Sequence, residues 1–216
     1  TIKYYGAIYE LPAGLLNRIL GFESDEPAYH QVRHLLNALF GFFALLFAGF
    51  IGRELGGWRT GVVVLLLLGL SPRFFGHTMM NPKDIPFACG YLMAMLYMIR
   101  LFRELPKPSW KTMGLLGAGI AIAIASRVGG LLLVAYLGLF LGVHFLLQRG
   151  FKGLADFAAV GRYARHLIIP TGIGLLGGLL FWPYGLENPI KHIPETLDMF
   201  TKFSIGVKFV FGGDMV

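Results

Sequence analysis

The chain has 216 residues, of which 56% are hydrophobic and only 14% charged, with a formal net charge of +7. A soluble domain of this size carries nearly twice that share of charge, and no basic run is dense enough for a nucleic-acid partner. The single cysteine, Cys89, excludes an intrachain disulfide and a thiolate metal cluster, and reads as a small buried helix residue.

Residues 1–34 read as an external amphipathic segment. Leu15, Leu16, Ile19 and Leu20 before Gly21 predict a short helix lying in the membrane interface, with Arg18 snorkelling toward water. Asp25, Glu26 and Pro27 mark the start of a helix that leads through Arg33 and His34 into the first span. Six mostly uncharged blocks follow, at 35–52, 61–72, 85–99, 113–126, 128–147 and 167–182. Several approach the roughly 20 residues that cross a bilayer. They are continuous, without period-2 alternation, so they predict a transmembrane helical bundle over 35–182 and not a β-barrel.

Breaks between the blocks are chemically plain. Arg53, Glu54 and Gly56-Gly57 end the first, and Ser71-Pro72 ends the second. Residues 73–84 then form a polar and aromatic external loop, and Pro86 suits the first turn of the next helix. Pro106-Lys107-Pro108 stops that helix. A continuous helix from 113 to 147 would run about 50 Å, so Ser126 to Gly130 divides it, with Arg127 at the membrane boundary. Gly117 and Ala121 make one small-xxx-small step for close helix packing. Residues 183–216 read as an external or re-entrant tail, and the Thr1 start with the Met215-Val216 end reads as an incomplete fragment of a longer protein.

Loops 53–59, 100–111 and 149–165 carry most of the arginine and lysine. With six spans they share one face, which positive-inside reasoning places in the cytoplasm. Residues 1–34, 73–84, Arg127 and the tail then share the opposite, extracytoplasmic face.

That face holds the candidate chemistry. Asp84 is a boundary carboxylate that suits a divalent cation, proton abstraction from a hydroxyl, or a helix cap. Lys83 and Arg73 offer phosphate contacts or headgroup anchors. His77 suits a proton shuttle or a metal, but a lone histidine supplies no ligand set. His30 and His34 lie one helical turn apart and fit packing or hydrogen bonding. Arg127 needs water, a phosphate, or an ion-pair partner among Glu10, Asp25, Glu26 and Asp84. No dinucleotide fingerprint, Walker sequence or zinc-protease signature is present.

The run Ser71-Pro72-Arg73-Phe74-Phe75-Gly76-His77, with Asn81-Pro82-Lys83-Asp84-Ile85-Pro86-Phe87, closely resembles the second external loop of polytopic glycosyltransferases of the protein O-mannosyltransferase and aminoarabinose-transferase (GT-C) superfamily. Arg33-His34-Leu35-Leu36-Asn37, Trp182-Pro183-Tyr184 and Asn188-Pro189 look similar to the same group. The resemblance implies an all-α membrane enzyme of bacterial inner or plasma membrane, active on the extracytoplasmic side. It would move a sugar from a polyprenyl-phosphate donor to a hydroxyl-bearing acceptor among membrane lipid. It makes Asp84 the acidic residue of the second external loop, linked to catalysis or a divalent metal. The family's acid of the first external loop is expected upstream of residue 1, with Glu10, Asp25 and Glu26 as stand-ins. Arg73, Lys83 and Arg127 become donor-phosphate contacts, and His77, His34 and Asn81 polar residues of the cavity. The rival readings are a transporter or flippase for a phosphate-bearing lipid, and a structural membrane subunit.

Overall fold

A computed structural model describes residues 6–202, 210–211 and 214–215. The ends of the two flanking segments, 1–5 and most of 203–216, lie outside the described residues.

The protein is all-α. In chain order the helices are α1 (Glu10–Leu20), α2 (Pro27–Gly69), α3 (Pro72–Met80), α4 (Asp84–Glu104), α5 (Trp110–Ile124), α6 (Leu131–Arg149), α7 (Phe157–Leu180), α8 (Pro183–Glu187) and α9 (Pro189–Thr201). Short 3-10 turns cover Val128–Gly130 and Phe151–Ala155. A two-residue antiparallel pair, β1 (Val210–Phe211) with β2 (Asp214–Met215), is the sheet content among the described residues.

Helix α2 is two antiparallel arms. Gly56 and Gly57 leave helical geometry, and Gly57 takes a φ of 79°, which favours glycine. The second arm folds back along the first, with Gly49 against Leu65 and Gly69 against Leu45. The expected spans 35–52 and 61–72 are therefore the arms of one hairpin, and Ser71 returns to the end where α2 began.

The remaining helices pack around α4 and α5. Ala94, Met98 and Leu101 of α4 meet Leu116, Ile120 and Ala123 of α5, and Leu133, Leu137 and Leu141 of α6 close the cluster. The α4–α5 crossing is tight enough that a Cβ on Gly119 would lie 2.6 Å from the Ala94 nitrogen. In lipid, such backbone proximity supplies the dispersion that holds helices together. Outward faces stay greasy: Leu67, Leu70 and Leu147 are all more than two-thirds exposed.

Among the described residues, three helices are long and apolar enough to cross a membrane: Pro27–Gly69, Asp84–Glu104 and Val128–Arg149. The protein is an integral membrane protein. The other expected blocks also fall in helices, but α5 has only 15 residues, fewer than the roughly 20 of a simple crossing. α7 extends ten residues further upstream than the apolar block, because Asp156 accepts a hydrogen bond from Ala159 N at 3.0 Å and caps it there.

The expected loop 73–84 is mostly helix. Ser71 caps α3 by accepting from Phe74 N, and Pro72 sits where its missing N–H costs nothing. Ser-Pro was read as the end of one helix, and it is also the start of the next.

Polar contacts sort to two ends of the bundle. At one, Glu54 pairs with Arg100 at 3.0 Å and with Arg103, and Pro106 O accepts from His166 Nε2 at 3.2 Å. At the other, α1, the start of α2, α3, the start of α4, Arg127 and the end of α7 come together.

Candidate functional site

The site is built on the α3–α4 turn. Asn81 ends α3, and its Oδ1 accepts from Lys83 N at 3.3 Å and Asp84 N at 3.0 Å. That Asx turn satisfies N–H groups at the start of α4, so Asn81 takes the capping role that the sequence offered to Asp84. With Oδ1 so occupied, Asn81 Nδ2 donates to Asp84 Oδ2 at 2.8 Å and to His77 Nδ1 at 3.1 Å. His77 Nδ1 therefore accepts, which leaves the proton of the neutral ring on Nε2.

Asp84 Oδ1 meets Arg127 Nη2 at 2.5 Å. Arg127 stands in extended conformation after α5, where Ser126 and Gly130 break the helix. Of the four carboxylates that the sequence offered Arg127, the structure pairs it with Asp84. Both Asp84 oxygens are thus engaged, yet the side chain remains 52% exposed.

Two hollows flank this turn. One, of about 580 Å³, is lined by Tyr9, Glu10, Pro82, Lys83, Ser126, Pro183 and Tyr184, among others. The second, an open groove of about 340 Å³, is lined by Ser71, Arg73, Phe74, His77, Asn81, Asp84, Ile85 and Ala88. Lys83 and Arg73, grouped together in the sequence reading, line different hollows.

Glu10 borders the larger cavity, and both its oxygens accept from Arg33 Nη2, at 2.9 and 2.8 Å. Tyr9 O–H donates to Arg33 O at 2.7 Å, and burial pushes its phenol pKa upward against the opposing pull of Arg33. Asp25 and Glu26 line neither hollow. They sit exposed at the start of α2, where Glu26 accepts from Glu23 N. His34 lines neither hollow as well, because its Nδ1 donates to Met79 O at 2.7 Å and ties α2 to α3.

Among the described residues, no group of three or more His, Cys, Asp or Glu side chains could hold a metal ion. A divalent ion at Asp84 would share its oxygens with Arg127 and Asn81 and find no second carboxylate or histidine set beside it among the described residues. The donor set does not fit a resident metal, and no step below is routed through one.

Tyr9, Ser126 and Tyr184 escaped the sequence reading as cavity residues. Tyr184 stacks on His192 with ring centroids 3.9 Å apart. Only its place in Trp182-Pro183-Tyr184 signalled it. Asn37 is the other omission. Its amide is buried and donates to His77 O and Thr78 O.

One end of the membrane-embedded helical bundle thus gathers a carboxylate, guanidinium groups and an amide beside a roomy cavity. The family model for dolichyl-phosphate-mannose-protein mannosyltransferase matches residues 12–174, and the chain belongs to that family. It is accordingly a membrane glycosyltransferase of the GT-C type, and its reaction is sugar transfer from a polyprenyl-phosphate donor to a hydroxyl-bearing acceptor. No curated protein and no solved structure matches the chain.

Proposed function

We propose that Asp84 takes the proton from the acceptor hydroxyl while Arg127 and Lys83 receive the departing polyprenyl phosphate. The observation that carries this reading is the 2.5 Å contact between Asp84 and Arg127 at the α3–α4 turn. In the reaction, the acceptor oxygen bonds to the anomeric carbon as the bond from that carbon to the phosphate oxygen breaks. The hydroxyl proton passes to Asp84, and the electron pair leaves with the phosphate. A carboxylate base and fixed cations serve the two ends of that displacement.

Lys83 borders the larger cavity and Arg127 stands beside its Ser126 wall, so the donor phosphate belongs there. Tyr9 and Tyr184 offer aromatic walls for the sugar. Arg73 and His77 line the groove on the other side of the turn, where Arg73 meets a lipid headgroup. Glu10, held by Arg33, orients the cavity wall.

The active end faces the extracytoplasmic side of a bacterial inner or plasma membrane. The cation-rich ends of the helices lie opposite it, as positive-inside reasoning requires.

The test is Asp84→Asn in the intact enzyme, assayed with a labelled lipid-linked sugar. Transfer should fall by about 10²- to 10⁴-fold, with folding and donor binding retained. Normal transfer by the folded variant would refute the assignment.

A further inference from the structure

The α3–α4 turn that carries Asp84 is held from outside by two side chains of α2. α3 ends at Met80, so its last carbonyls lack helical partners. His77 O accepts from Asn81 N at 2.9 Å. Asn37 Nδ2 donates to the same His77 O at 3.1 Å and to Thr78 O at 2.9 Å. His34 Nδ1 donates to Met79 O at 2.7 Å. A neighbouring helix thus caps three successive carbonyls of α3.

The fit is close along the same stripe of α2. Residues 34, 37 and 41 are spaced three and four apart and share one face. Gly41 meets Thr78 so closely that a Cβ there would lie 2.5 Å from the Thr78 methyl. Asn37 is 1% exposed, and its Oδ1 finds no hydrogen-bond partner among the described residues. Burying that bare oxygen offsets what the two donated bonds contribute, so the amide is poorly explained as a stability device alone.

We infer that Asn37 and His34 are positioning residues that fix the end of α3, so that Asn81 holds Asp84 in its reactive orientation. The path is short and runs through hydrogen bonds and three residues of backbone. Asn37 and His34 hold the carbonyls of 77–79, Asn81 follows at the helix end, and Asn81 Nδ2 holds Asp84 Oδ2 at 2.8 Å. A loose end of α3 would let Asn81 and Asp84 drift while the rest of the bundle stays packed.

This inference rests on the role of Asp84 proposed above. It is tested in the intact enzyme, in proteoliposomes, by a double-mutant cycle of Asn37→Ala with Asn81→Ala. Asn37→Ala should lower kcat by up to about 10²-fold, the cost of a small misplacement at a reacting group. The donor KM should change less than kcat, because Arg127 on its own segment after α5 still holds the phosphate, although Lys83 shares the loosened turn. The two losses should be strongly non-additive, since both act through Asp84.

His34 is exposed, so His34→Ala provides a second variant whose folding is not in question. It should lose kcat in the same direction. His34→Gln, which returns an amide donor to Met79 O, should recover most of that loss. Additive losses in the cycle, or a kcat unchanged in both Asn37→Ala and His34→Ala, would overturn the inference. Asp84→Asn separates the two ideas. If it abolishes transfer while the cycle is additive, only the positioning inference fails. If it transfers normally while the cycle stays coupled, the base assignment fails, and with it positioning through Asp84.

Discussion

Glu54 and Asp84 are both carboxylates paired with arginine at opposite ends of one bundle. Glu54 is 16% exposed and is held by Arg100 and Arg103, and it lines neither hollow of the site. Asp84 is 52% exposed, carries one arginine, and edges a groove. Other carboxylates on Glu54's side are likewise spent on architecture. Glu104 accepts from Ser109 N and Thr112 Oγ1, each at 2.7 Å, and Asp156 caps α7. The comparison teaches that an ion pair at a helix end does not identify a site. Open space beside an incompletely enclosed carboxylate is shared by Asp84 and Glu10, and the Arg127 contact on the α3–α4 turn is what favours Asp84.

Substitutions on the two sides should separate along that line. The largest effect is expected for Arg127→Ala. It removes the partner of Asp84 and the proposed phosphate contact, and should lower kcat/KM by about 10²-fold or more, read as initial rates against donor concentration. Arg127→Lys should restore part of it. A loss confined to protein yield would place Arg127 with the architectural pairs.

Glu54→Gln comes next and should act on stability. Losing charged hydrogen bonds to two arginines costs about 1.5–3 kcal/mol, visible as a lower melting temperature in detergent, with kcat changed by less than about twofold. The smallest effect belongs to Asp156. The Ala159 backbone N–H, aided by Arg149, holds its carboxyl below the usual aspartate range. A lowered folded-state pKa gives stability that is present above the unfolded value, near 3.9, and is lost as pH falls through the folded one. Asp156→Asn should therefore flatten the acid side of the melting-temperature profile and leave transfer at neutral pH untouched.

Much of this arrangement was legible in the residues. Pro27, Gly56-Gly57, Pro106-Lys107-Pro108 and Ser126 to Gly130 set helix limits through local chemistry, and local chemistry can be read in one dimension. The stretch from Arg73 to Asp84 stood out because charge next to apolar spans is costly. Helix α3 was missed because its nine residues carry a loop-like composition, while its cap, Ser71, doubles as a stop signal. The partner of Arg127 was one of four carboxylates until the fold chose Asp84. Asn37 gave no signal beyond its place in Arg33-His34-Leu35-Leu36-Asn37. An amide inside an apolar block looks like a tolerated exception until the α2 hairpin brings Ser71–Met80 back beside it.

Asp84, paired with Arg127 at the edge of open space, is proposed to do the chemistry, and the enclosed Glu54 is not. The most direct measurement compares single-turnover transfer by Asp84→Asn and Glu54→Gln in the same proteoliposomes, with donor binding checked in parallel. Asp84→Asn should bind donor and transfer almost nothing, while Glu54→Gln should transfer at the parent rate. Transfer by Asp84→Asn at the parent rate, or an equal loss in both variants, would contradict that assignment.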